Sequence, residues 1–101
     1  MRGKDRAALR AEAHHLRPLV HVGHQGLTDT VRQSLEEALM ARELVKVQFG
    51  RTADLDMRTA AGELAESLGA EVVQVIGRTT TLYRENPDLE RRPGAEPPWR
   101  E

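Results

Sequence analysis

LVHVGHQGLTDTVRQSL, residues 19–35, changes its period part-way, and that change decides the fold. Leu19 to Val22 alternates like a strand, with Val20 and Val22 on one face and Leu19 and His21 on the other. From Thr28 onward, Val31, Leu35, Ala38 and Leu39 recur at helical spacing. Thr28 is a good N-cap, and Asp29 is favourable in the first turn, where the helix dipole is positive. Between strand and helix lies Gly23-His24-Gln25-Gly26, a tight backbone turn. Glycine lacks Cβ, so it accepts positive φ and lets another molecule approach the main chain. The helix behind the loop aims free N–H groups at the same place, which suits an anionic backbone.

Working outward, the rest of the chain repeats this alternation. Upstream, Leu9, Ala13 and Leu16 line one face of a helix expected over residues 5–16, ended by Pro18. Arg6, Arg10 and Arg17 lie off that stripe. Downstream of the helix expected over 29–42, with Arg32 and Glu36 as an outer i, i+4 pair, LVKVQF (44–49) reads as a second strand. A third helix is expected over 55–68, capped by Asp54 and closed by Gly69 just past its end. EVVQVI (71–76) and TTTLYR (79–84), joined by Gly77-Arg78, read as a hairpin. Four of the five prolines fall after Asn86, which predicts a disordered tail over residues 87–101. The expectation is an α/β domain over residues 1–86, in the order α-β-α-β-α-β-β. Its four-stranded mixed sheet is packed with three helices, and its parallel connections cross over.

Composition narrows the chemistry. At 101 residues the chain has length for one modest core. Fifteen basic and sixteen acidic residues nearly cancel, but the charge is uneven. Residues 1–24 hold five basic against two acidic side chains, so the charge leans basic toward the glycine loop. Without cysteine, disulfides, zinc ribbons and thiol catalysis are excluded. No apolar run matches a signal peptide or a membrane span, so a soluble cytoplasmic protein is expected.

The loop is not a nucleotide-hydrolysing one. A Walker loop needs a lysine after its last glycine, and Leu27-Thr28 stand there; a dinucleotide fingerprint needs a third glycine where Asp29 stands. His14, His15, His21 and His24 are close in sequence, but adjacent helical residues diverge by about 100° and no cysteine or well-spaced acid completes a metal site. The carboxylates Glu36, Glu37, Glu63 and Glu66 read as a solvated outer face, and no nucleophile has a base beside it. Catalysis, metal and cofactor are therefore not expected. With three aromatics in the chain, base stacking on the sheet is improbable. A glycine loop that clamps a sugar–phosphate backbone needs few aromatics. The residues expected to contact RNA are Gly23, His24, Gln25 and Gly26, with Arg10, Arg17, Lys46 and Arg78 as basic anchors. The competing expectation is a protein-interaction module that docks on a protein partner through its charged helix faces, without touching RNA.

VGHQGLTDTV, LVKVQF and LAESLGAEVVQVIGRTTTLYR, in this order and spacing, closely resemble the YhbY-like CRM domain (chloroplast RNA splicing and ribosome maturation), stand-alone bacterial type, over roughly residues 5–86. The resemblance implies a fold similar to the C-terminal domain of bacterial translation initiation factor three. It implies RNA binding through the glycine loop, with ribosomal RNA and precursors of the large ribosomal subunit as partners; a monomer is expected. KH domains also carry G-x-x-G, but between two helices, whereas this loop follows a strand. Many family members have lysine where this chain has His24; the departure removes a fixed charge and makes affinity weaker or pH-dependent.

Overall fold

The computed structural model describes residues 3–23, 25–51, 56–89 and 96–100. The elements are α1 (Gly3–Ala13), β1 (Pro18–Val22), α2 (Asp29–Arg42), β2 (Leu44–Phe49), α3 (Met57–Leu68), β3 (Glu71–Ile76) and β4 (Thr79–Tyr83). This is the expected α-β-α-β-α-β-β order around one four-stranded mixed sheet, whose strands lie in the order β1-β2-β4-β3. β1 runs parallel to β2, and β4 runs antiparallel to both β2 and β3. It follows that β1, β2 and β3 all point the same way, and their C-terminal ends share one rim of the sheet.

Alternation along the strands divides the core in two. Val20, Val22, Val45, Val47, Phe49 and Leu82 face Leu35 and Leu39 of α2 and Leu64, Ala65 and Leu68 of α3. Leu35, Leu39, Leu64 and Leu82 are wholly inaccessible, and each such side chain contributes about 1.5–3 kcal/mol through burial. On the opposite face α1 lies alone, packing Leu9 and Ala13 on Leu44 and Val73, with Leu16, Tyr83 and Trp99 around them. Val73 lies on that face by alternation with Val72, next to a shift in the β3–β4 register between Val72 and Gln74.

The caps explain where helices begin and end. Thr28 accepts from the Val31 N–H at 3.2 Å, a contribution of about 1 kcal/mol. At α3 the capping carboxylate is that of Asp56, which accepts from the Arg58 and Thr59 N–H groups at 3.1 and 3.5 Å. The Thr59 hydroxyl, which donates to the same carboxylate at 3.0 Å, and then those backbone bonds hold the Asp56 carboxyl below its ordinary range. Asp54, the expected cap, lies outside the described residues. Gly69 closes α3 at φ 64°, where a Cβ would be strained, and the Ala70 N–H returns to the Ala65 carbonyl at 2.9 Å. Helix α1 stops at Ala13, earlier than the expected 16. The His15 and Leu16 N–H groups reach back three residues, to Glu12 and Ala13, so a tighter turn replaces the last helical one.

The Arg84 guanidinium ties the end of β4 to the middle of α2 and the end of α3. The Arg84 guanidinium donates to both Glu36 carboxylate oxygens, at 2.8 and 2.9 Å, and to the Leu68 carbonyl at 2.8 Å. This replaces the expected Arg32–Glu36 pair, because Arg84 is delivered by β4 to a place where it also satisfies an orphan carbonyl of α3. The Arg84 hydrogen bond, with its charge, holds the Glu36 carboxyl below its ordinary value. A depressed carboxyl stabilises the fold above its unfolded pKa and loses that contribution as pH falls through the folded one. Arg84→Met is accordingly expected to flatten the part of the acid unfolding profile that lies below about pH 4.5. Circular dichroism melts across pH 2–6 in wild type and variant check this.

Candidate nucleic-acid interface

The shared rim carries three loops in register with one another. Gly23 follows β1, Gly50-Arg51 follows β2 and Gly77-Arg78 follows β3. In the glycine loop the Gly26 N–H donates to the Gly23 carbonyl at 3.0 Å, and the Thr28 N–H to the Gly26 carbonyl at 3.1 Å. Gly26 holds φ 74°, so a side chain there would be strained, and open space surrounds it. Gln25 is exposed. His24 lies outside the described residues.

The rim is braced from below. The Gly50 N–H donates to the Val22 carbonyl at 2.7 Å, at the root of the loop. A Cβ on Gly50 would stand 3.3 Å from that same oxygen, so glycine lets β2 close against β1 here. The Phe49 N–H donates to the Arg78 carbonyl at 2.8 Å, and the Arg78 guanidinium donates to the Gly50 carbonyl at 2.9 Å. Arg78 is thus fixed beside Gly50 while remaining exposed. Arg51, also exposed, stands on the same rim. Gly50 and Arg51 did not enter the sequence-based set of contacts. Their signal was the repeated Gly-Arg pair just after two strands, which becomes meaningful once those strands are known to be parallel. Ligands of open α/β sheets sit at the carboxyl ends of such strands.

The other expected anchors are distributed along the sheet. Lys46 lies on the α1 side of β2, half-buried, three residues before Phe49 and so about 10 Å from the rim. Arg17 precedes β1 and stands beyond the opposite end of that strand, roughly 16 Å from the loop. Arg10 is exposed in the last turn of α1, which packs at that far end. Glycine loop and Arg78 are therefore brought together, whereas Arg10 and Arg17 are not beside them. His14 and His15 lie in the turn after α1 with their rings edge to face, 6.3 Å apart. No group of three or more metal-ligating side chains occurs among the described residues, and none of their helices is long and apolar enough to cross a membrane.

Near that far end, α1, β1 and β2 enclose a groove of about 760 Å³. Arg17, Arg42 and Lys46 line it from the domain, and Glu96, Trp99 and Arg100 from the C-terminal segment. Part of the stretch expected to be a disordered tail is thus packed: Trp99 meets the Tyr83 ring edge to face at 6.3 Å. Arg100 pairs with Glu12 and, at 3.3 Å, with Glu96. The Arg100 hydrogen bond holds the Glu12 carboxyl below its ordinary range.

The chain that carries this rim has known relatives. Residues 1–84 match the model of the CRS1 / YhbY (CRM) domain. The chain belongs to the CRM domain family. This CRM domain is similar to "Probable RNA-binding protein YqeI" of Bacillus subtilis, 39% identical over 84 residues that cover 83% of this chain and 88% of that protein. It is similar also to a Haemophilus influenzae protein named "RNA-binding protein", 35% identical over 81 residues, or 80% of this chain and 82% of that one. Among solved structures, the solution structure of the hypothetical protein SAV1595 from Staphylococcus aureus superposes with a TM-score of 0.77 at 31% identity. The superposition covers 89% of this CRM domain and 94% of that chain.

Proposed function

We propose that the chain is a non-catalytic RNA-binding protein that holds ribosomal RNA at the loop rim during assembly of the large ribosomal subunit. In this reading it works as a monomer in the cytoplasm. The observation that carries the reading is the rim itself. Open backbone at Gly23 and Gly26, the N-terminus of α2 and the braced Arg78 converge where the three parallel strands end. A phosphate there would meet the main-chain donors at the start of α2 and fixed positive charge. The names of the relatives, RNA-binding proteins, support the class of ligand. The family resemblance of the loop and the closing hairpin supports the ribosomal target. Base stacking on the sheet is disfavoured, because Phe49 is buried beneath α2 and α3 and Tyr83 packs against Trp99.

Filter retention of labelled large-subunit ribosomal RNA fragments over a salt series tests this. Log affinity should fall with log salt by about 0.7 per phosphate contacted. Lys46→Ala and Arg78→Ala should each weaken binding and flatten the slope by about one contact. Absence of any RNA retention by the folded protein would overturn the proposal in favour of a module that docks on ribosomal or assembly proteins.

A further inference from the structure

The C-terminal segment lies beyond the matched CRM domain, yet it packs against the domain's basic groove. Three kinds of contact hold it. Trp99 is half-buried against Tyr83 and joins the small apolar cluster under α1. Arg100 is paired with Glu12 of α1 and with Glu96 of its own segment, so its charge is largely neutralised. Glu96, paired with Arg100 at 3.3 Å, lines the same groove as Arg17 and Lys46. The segment therefore shares a groove with Lys46, which the proposed function assigns to RNA, and with Arg17, an anchor expected from the sequence. Resting on that reading, we propose that Glu96–Arg100 is an intramolecular competitor of RNA: docked, it fills the basic groove between α1, β1 and β2, and RNA that reaches from the loop rim to Arg17 and Lys46 displaces it.

The contacts suit displacement. One aromatic contact and a cluster of partly exposed ion pairs make a weak anchor, since exposed pairs gain little in water and are screened by salt. A polyanion that engages Arg17 and Lys46 together gains charge contacts that Glu96, paired with Arg100, does not make.

Trp99 is the sole tryptophan of the chain and reports on its own docking. Titrating the full-length protein with ribosomal RNA fragments should shift Trp99 emission to the red and raise its quenching by acrylamide. Filter retention is read on the same samples. Trp99→Ala, which changes no charge, should bind the RNA about threefold to tenfold more tightly, the factor by which a segment docked about 70–90% of the time dilutes the competent state. Arg100→Glu replaces a positive charge by a negative one yet should also tighten binding, because it breaks the anchor. Adding Glu12→Arg restores the pair and should return affinity toward wild type. Retained RNA with unchanged Trp99 emission would overturn the competition and leave loop binding standing, as would a weakened Arg100→Glu that Glu12→Arg does not return toward wild type. If Trp99→Ala proves unfolded by circular dichroism, the emission titration and the charge-swap pair decide. No retention by wild type or any variant would sink the RNA reading itself.

Discussion

Replacing His24 and Gln25 together by Asp lowers affinity for ribosomal RNA about 50-fold at low salt, on the estimate that each new charge lies about 7 Å from a bound phosphate and repels it by about 1.2 kcal/mol at an effective dielectric near 40. The effect should shrink toward physiological ionic strength, where charges are screened over about 8 Å. Both positions lie between the two glycines, and neither Gly23 nor Gly26 is touched, so the turn keeps its backbone. The loop's internal bonds run between main-chain groups of Gly23, Gly26 and Thr28, which is why the fold should survive. Filter retention gives the affinity, and a thermal melt establishes that the variant is folded. The companion variant with Asn at both positions separates charge from contact: it should lose far less than the Asp pair if repulsion dominates. A folded Asp variant that binds RNA as wild type does would remove the loop from the interface. Arg78 and its neighbours on the rim would then have to carry the binding.

How far this site could be read from the chain depends on which interactions are local. The loop was legible because period, glycine spacing and cap all fall within Leu19–Leu35, and α2 and β2 begin and end as the pattern predicts. The rim was only half legible. That Gly50-Arg51 and Gly77-Arg78 stand beside Gly23 follows from the strand order β1-β2-β4-β3, which pairs residues far apart in sequence. Arg17, six residues before Gly23, reads as a neighbour of the loop, but an intervening strand of five residues carries it to the opposite end of the sheet. Glu36 found its partner 48 residues away in Arg84, where periodicity offers only Arg32. Trp99 and Arg100 dock through contacts with Tyr83 of β4 and Glu12 of α1 that no repeat in the sequence announces. Local period thus identified the elements and the loop, while every long-range pair of charges had to come from the structure.

Glu43, which sequence periodicity leaves as an unremarkable residue between α2 and β2, should give the largest stability effect of any single polar side chain. It is wholly buried and holds φ 64°, ψ −45°, an uncommon region for a residue with a Cβ. Its N–H donates to the Leu39 carbonyl at 2.9 Å, and its carbonyl accepts from the Arg84 N–H at 2.9 Å. Its carboxyl accepts from the Asn86 N–H at 2.6 Å, while the Asn86 amide donates to the Met40 carbonyl at 2.8 Å. One residue therefore ends α2, starts β2 and pins the chain leaving β4. Glu43→Ala removes the acceptor but keeps the strained φ, and a loss of about 2–4 kcal/mol is expected from the orphaned donor and the vacated space. Glu43→Gly removes the same acceptor and also relieves backbone strain worth about 1–3 kcal/mol. Glycine's greater freedom in the unfolded chain offsets roughly 0.5–1 kcal/mol of that gain. Gly at position 43 should therefore be more stable than Ala by about 1 kcal/mol, the reverse of the order at an ordinary helix end. Glu43→Gln, which keeps an acceptor of the same reach for Asn86, should lose least of the three. Urea unfolding followed by circular dichroism ranks them. An Ala variant equal to or more stable than Gly would mean that the positive φ carries no strain, and that the junction is held by the carboxyl alone.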